Sequence, residues 1–248
     1  MSQGPEGSRD AFASATGRSL EEDNGAHQQR YRAYQRELIR PHCGRTLLEI
    51  GAGLGEFADG FTGFDRHVVT DVDAGAVGLL GKRFADRPEV EVRRLDLAEA
   101  ATTAHLDLEP PVATALAINV LEHVEDHVGA LRAVASVVEP GGTVVMWVPG
   151  YEQLYGDFDR AVGHVRRYTP STLSAAFVGA GLSPVDVRPV NLLGGIAWWL
   201  TVRRGGVGAP NKRLVQTYDR LVVPVTRLLE RRITPPFGQS VLGVARVP

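Results

Sequence analysis

The chain has 248 residues, 44% apolar and 23% charged, a globular balance that excludes a disordered chain of low hydropathy and high charge. Cys43 is its one cysteine, which excludes a disulfide scaffold and fits a reducing, cytoplasmic compartment. The net charge of −2 hides an asymmetry, because residues 201–248 hold nine Arg/Lys against two Asp/Glu; the acidic remainder lacks the basic footprint of a nucleic-acid binder.

Residues 1–28 contain no apolar run of signal-peptide type and read as a flexible leader. Residues 29–248 are then expected to form one domain. Tyr31, Tyr34, Leu38 and Ile39 stand at helical spacing, and Pro41 ends that helix. β-type runs follow at 46–50, 67–71, 90–94, 113–119 and 142–148, with helical segments near 54–63, 74–85 and 124–138 between them. This alternation predicts an α/β fold, a doubly wound, mostly parallel sheet with helices on both faces. Asp73 reads as the N-cap of the second of these helices. Glu139-Pro140-Gly141-Gly142 stops the third and turns the chain into the fifth strand. A further helix opens at Thr169 and Pro170 and runs to about Gly179. Strands at 184–190 and 240–247 bracket a helical insertion, 190–237, with an apolar part at 191–204 and a basic part at 214–233 that Pro224 is expected to kink. The apolar stretch 189–202 is too short for the roughly 20 residues of a membrane span, although it suits a membrane surface, a second copy of the chain or a cover over a site.

The most informative segment is Glu49-Ile50-Gly51-Ala52-Gly53-Leu54-Gly55-Glu56. A strand that runs into Gly-x-Gly-x-Gly and then a helix brings bare backbone against a ligand at the carboxyl edge of a parallel sheet. A dinucleotide fingerprint needs glycine at the sixth position of G-x-G-x-x-G, where this chain has Glu56. Glu49 also suits a cationic ligand better than a pyrophosphate. Asp71 closes the second strand and Asp96 the third; Asn119-Val120-Leu121-Glu122-His123-Val124 follows the fourth, and Pro140-Gly141-Gly142 precedes the fifth.

In this order the motifs resemble the class I S-adenosylmethionine-dependent methyltransferases of small-molecule type, over about residues 30–190. The resemblance implies a Rossmann-like sheet of seven strands with one antiparallel, S-adenosyl-L-methionine as cofactor, and a single methyltransferase domain. It implies that Gly51, Ala52, Gly53 and Gly55 cradle the methionine part and that Glu49 helps hold its ammonium. Asp71, with Val72 beside it, would take the ribose diol, which two carboxylate oxygens match. Asp96 and Leu97 would meet the adenine, and the Asn119 carbonyl the ammonium.

Methyl transfer needs a base only where the acceptor carries a proton. His123, after the fourth strand, and His164 are the two catalytic candidates, with bracing of the turn as the structural alternative for His123. His123 and His127 flank Glu125, but H-x-E-x-H is not the H-E-x-x-H of zinc proteases, and no metal is expected. Residues 151–170 read as a substrate lid in which Tyr151, Tyr155, Arg166, Arg167 and Tyr168 meet the acceptor; either arginine would clamp an anionic group. The alternative is a loop whose arginines pair with Asp157 and Asp159. The expected activity is transfer to a small molecule, at oxygen, by a monomer or homodimer. The rivals are an S-adenosylmethionine-binding protein that transfers nothing, a nicotinamide oxidoreductase, and a methyltransferase of a lipid-linked acceptor with peripheral membrane contact.

Overall fold

A computed structural model describes residues 28–103, 105–200 and 212–248. Residues 1–27 of the leader, and the part of the insertion at 201–211, lie outside the described residues. Strands β1 (Thr46–Ile50), β2 (Arg66–Asp71), β3 (Val90–Arg94), β4 (Val112–Ile118), β5 (Val138–Pro149), β6 (Ser183–Val190) and β7 (Ser240–Arg246) form one sheet. Their order is β3-β2-β1-β4-β5-β7-β6. The first five pair in parallel, and β7 runs antiparallel to both β5 and β6. The expected fold class is therefore the observed one. Strand order reverses between β1 and β4, the switch point where such sheets bind ligands.

The sheet is covered on both faces, so β1, β2, β4 and β7 bury nearly every residue, while the outer strands β3 and β6 stay largely half-buried or exposed. On one face Leu48, Ile50, Ala115, Val144 and Met146 pack with Leu131, Val134, Leu173 and Phe177. On the other, Leu47, Leu116, Val145 and Trp147 pack with Tyr34, Ile39, Phe57 and Val223.

Ten helices accompany the strands among the described residues: α1 (Gln29–Ile39), α2 (Glu56–Asp59), α3 (Ala74–Arg83), α4 (Leu97–Thr103), α5 (His127–Ala135), α6 (Asp157–Ala161), α7 (Pro170–Gly179), α8 (Leu192–Trp198), α9 (Lys212–Thr217) and α10 (Val223–Glu230). Asp73 and Thr169 cap α3 and α7 as expected, accepting from Ala76 and Thr172 N–H. Two element bounds differ from those expected. The helix near 54–63 shrinks to the single turn of α2, because Gly63 takes φ +86° and the carbonyls of Thr62 and Gly63 turn to Arg40. The fifth strand begins before the Pro-Gly-Gly turn: Val138 pairs with Val112, and regular register resumes at Thr143 opposite Thr114.

Pro224 does not kink its helix in the way expected. It sits in the first turn of α10, behind a wide π turn at Tyr218–Val222. The carbonyl four residues earlier, Arg220, has no proline N–H to meet and accepts instead from Arg30 Nη1 at 2.7 Å. Asp219 accepts from the Arg30 and Tyr31 N–H at the start of α1, so the insertion is fastened to the first helix.

Candidate active site

Three glycines of the loop after β1 are left-handed: Gly51 at φ +70°, Gly53 at +57° and Gly55 at +79°. That backbone favours glycine. At Gly51 space adds a second demand, since a Cβ there would stand 2.4 Å from Val120 Cγ2. Val120 is delivered by Asn119, itself left-handed at φ +53°, whose N–H is held by the Trp147 carbonyl at 2.8 Å. The loops after β1 and β4 thus meet at the switch point.

Asp71 binds this cradle together. It is buried, with Oδ2 accepting from Gly53 N–H at 2.8 Å and Oδ1 from Asp73 N–H at 2.9 Å. Each oxygen keeps a second lone pair, as a diol requires. The Val72 carbonyl accepts from Arg94 Nε, tying the β2 and β3 ends. Asp96 Oδ1 accepts from the Ala98 and Glu99 N–H, which makes it the N-cap of α4, a helix the sequence reading lacked; Leu97 is buried in the core. Glu49 is buried too, with Oε2 3.1 Å from Nε2 of fully buried His67. His67 lies on β2 among apolar residues, and no local pattern marks it as the partner of Glu49.

At the β4 end a 3₁₀ turn, Leu121–His123, carries Glu122 and His123. The segment after β5 lays His164 against them. The His123 and His164 rings are 4.8 Å apart and edge-on, and His164 Nε2 is 3.6 Å from Glu122 Oε1. His164 Nδ1 bonds Asp159 Oδ1 at 2.7 Å. Asp159 in turn takes a two-pronged bond from Arg167, at 2.9 and 3.1 Å, and the Gly156 N–H at 2.9 Å. His123 Nδ1 faces the Gly163 carbonyl at 3.2 Å.

Burial governs the electrostatics. Glu122 is 0% exposed, neither of its oxygens has a hydrogen-bond partner, and burial pushes its pKa up to about 8. Burial, followed by the nearby His164, pulls His123 down to about 4. Burial alone would raise Asp159, yet the bonds from His164 and Arg167 hold it below the usual carboxylate range. Both predicted histidines therefore stand in one cluster; Glu122 and Asp159, which join it, were not singled out as site residues, although Glu122 lies inside the motif that follows the fourth strand.

Residues 151–170 are built into the body. Gly150 bridges Tyr168 beside β5. Tyr168 is buried, its hydroxyl shared by His127 Nδ1 at 2.8 Å and the Leu121 carbonyl. Arg166 donates to the Val124 and Glu125 carbonyls. Arg167 is buried on Asp159, with Trp198 5.5 Å from its guanidinium. The expected substrate clamp by these arginines is thus corrected: both are engaged within the protein, Arg167 through the Asp159 pairing that was the alternative. Tyr155 donates to the His164 carbonyl. Tyr151, at φ +60°, lines a cavity of about 400 Å³ with Leu154, Gly195, Ile196, Trp199 and Phe237.

Comparison with known proteins agrees with this geometry. The methyltransferase domain family matches residues 23–187. The ubiquinone biosynthesis O-methyltransferase of Alkalilimnicola ehrlichii is 33% identical over 105 residues, 41% of this chain and 40% of that protein. The chain thus covers less than half the length of the curated relatives it matches. Among solved structures, a Haloferax volcanii complex of the Trm112 methyltransferase activator with a methyltransferase aligns at TM-score 0.64 and 19% identity, over 97% of both chains. The N-methyltransferase NodS of Bradyrhizobium japonicum, in complex with S-adenosyl-L-homocysteine, aligns at TM-score 0.55 and 15% identity over 92% and 90%. With the family matched over most of its length and the sheet order and glycine cradle in place, the chain belongs to the methyltransferase domain family, the class I S-adenosylmethionine-dependent methyltransferases.

Proposed function

We propose that the protein transfers the methyl group of S-adenosylmethionine to a hydroxyl oxygen of a small molecule. The observation that carries this reading is the cradle of three left-handed glycines knitted to Asp71 by the 2.8 Å bond from Gly53. When bound there, the cofactor supplies an electrophilic methyl with a thioether leaving group. Gly51, Ala52, Gly53 and Gly55 offer close backbone approach to its methionine part, Asp71 beside Val72 offers acceptor oxygens to the ribose, and Asp96 with the Leu97 backbone borders the adenine. Asn119 presents its carbonyl to the ammonium, and Glu49 adds negative charge from below. The protein's contribution is chiefly alignment, which supplies roughly 7–11 kcal/mol when the reacting atoms are held in line.

The preference for oxygen rests on the cluster at the β4 end. His164 Nε2 is a hydrogen-bond acceptor that suits a hydroxyl donor, because the bond to Asp159 fixes the ring proton on Nδ1 and leaves Nε2 as the nitrogen that receives the acceptor's proton. Such proton transfer adds about 10²- to 10⁴-fold. The relatives' names span acceptors, an O-methyltransferase in one and an N-methyltransferase in another. A screen with tritium-labelled S-adenosylmethionine decides: label should pass to hydroxylated aromatics or hydroxy acids and not to matched amines, and transfer to the amines alone would overturn the oxygen assignment.

A second reading, a lipid-linked acceptor met at a membrane surface, is favoured by exposed Leu221, Val225 and Leu228 beside Arg220, Arg231 and Arg232 on the insertion. No helix among the described residues is long and apolar enough to cross a membrane. Co-sedimentation with phosphatidylglycerol vesicles at low salt supports this reading, and background levels there remove it.

A further inference from the structure

We propose that Glu122, His123 and His164 form a binding site for a divalent transition-metal cation of zinc type. One ligand atom from each can be chosen so that all lie within 4.8 Å of one another, and Glu122 Oε1 and His164 Nε2 are 3.6 Å apart. Donors at the ~2.0–2.2 Å bond lengths of tetrahedral zinc lie about 3.3–3.6 Å from each other. Small side-chain rotations would thus seat an ion without moving the backbone.

The hydrogen bonds around the cluster present lone pairs to its centre. His164 Nδ1 faces the Asp159 carboxylate and His123 Nδ1 faces the Gly163 carbonyl. Both partners only accept, so each Nδ1 carries the ring proton and each Nε2 keeps a lone pair. Glu122 is fully buried, and neither of its oxygens accepts a hydrogen bond. Buried polar oxygens left in that condition are costly, and a cation would satisfy them.

The surroundings have the form of a metal site's outer layer. A histidine ligand commonly passes its other N–H to a carboxylate that fixes the ring and raises its basicity. Asp159 does this for His164 and is itself locked by both prongs of Arg167 and by Gly156 N–H. Two imidazoles and one carboxylate suit zinc-type ions better than magnesium or calcium, which prefer all-oxygen shells. Three protein ligands leave a fourth position open. With the ion seated, His164 Nε2 is a ligand and not a proton acceptor, so the metal state decides which of the two roles it plays.

The test needs neither cofactor nor acceptor. Chelator-stripped full-length protein is titrated with Co²⁺, read by visible ligand-field absorption, and with Zn²⁺ against a chromophoric chelator. One equivalent per chain is expected, with binding weakened at least about 10-fold in Glu122→Gln and in His164→Ala, and about 10- to 100-fold in Asp159→Asn. His127→Ala, whose ring bonds Tyr168 outside the cluster, should leave binding unchanged. A circular dichroism spectrum and a thermal midpoint close to the wild type's certify that each variant is folded; His123→Gln replaces any that is not. Absence of stoichiometric binding to the wild type, or undiminished binding in the folded Glu122 and His164 variants, would overturn the site. Either result leaves the methyl-transfer reading standing if S-adenosylhomocysteine still binds, and metal binding without it would fault that reading alone.

Discussion

At the residue scale, Asp71 is the side chain on which the glycine cradle turns. Its two oxygens hold the N–H groups of Gly53 and Asp73, so it fixes the loop before any ligand arrives. Asp71→Asn replaces one acceptor by an amide NH₂ facing a backbone N–H. A buried donor left unmet costs about 1–3 kcal/mol, so affinity for S-adenosylhomocysteine should fall roughly 10- to 100-fold in a calorimetric titration; unchanged affinity would remove Asp71 from the site. The Asp159–Arg167 pair belongs to the same scale. Both side chains are nearly excluded from water, and breaking a buried pair by removing one partner costs about 3–5 kcal/mol. Arg167→Met should lower the urea-unfolding free energy by that amount, and a loss below about 1 kcal/mol would show that the pair does not brace the segment. Asp71 was legible in the sequence because it ends a strand beside the glycine loop, where the chemistry is local. The Asp159–His164 bond was not, because five residues of loop geometry decide whether those two side chains meet.

At the element scale, the insertion between β6 and β7 is held to the first helix by polar groups and not by apolar packing alone. Glu230 accepts from the Asn191 and Leu192 N–H, at 3.2 and 2.8 Å, and from the Tyr34 hydroxyl. One carboxylate thus holds the start of α8 and the middle of α1. Glu230→Ala should cost about 1–3 kcal/mol through the stranded Leu192 N–H and Tyr34 hydroxyl, with hydrogen exchange accelerating across residues 192–198 more than in β4. Equal protection in both would mean that α8 is held by other contacts. The strands and the helices α1, α3, α5 and α7 followed from periodicity, because each buries an apolar stripe and is closed by a cap or a breaker. Helices of a turn or two were less legible: α4 and α6 were not read, the segment near 54–63 shortens to α2, and Asp96, read as a ligand contact, also caps α4 through Oδ1. Pro224 announced a break, but the form of that break depended on Arg30, nearly 200 residues away.

At the scale of the whole molecule, the sheet order places the loops after β1 and β4 side by side, and the left-handed turns at Gly51 and Asn119 let them touch. The segment after β5 then brings His164 to Glu122 and His123, closing the same end of the sheet. The glycine loop and its acids were readable because each lies next to its own strand. The cluster of Glu122, His123, Asp159 and His164 gathers residues some 40 positions apart, and only the fold shows that Glu122 lies among them. The central claim is that this end of the sheet binds S-adenosylmethionine, and its most direct test is calorimetric titration of S-adenosylhomocysteine into the wild type and into Gly53→Val. A β-branched side chain at φ +57° is strained and fills the approach to the ligand. One site of micromolar affinity in the wild type, lost in a folded variant, is the predicted result; no binding to the wild type, or equal binding to both, would contradict it.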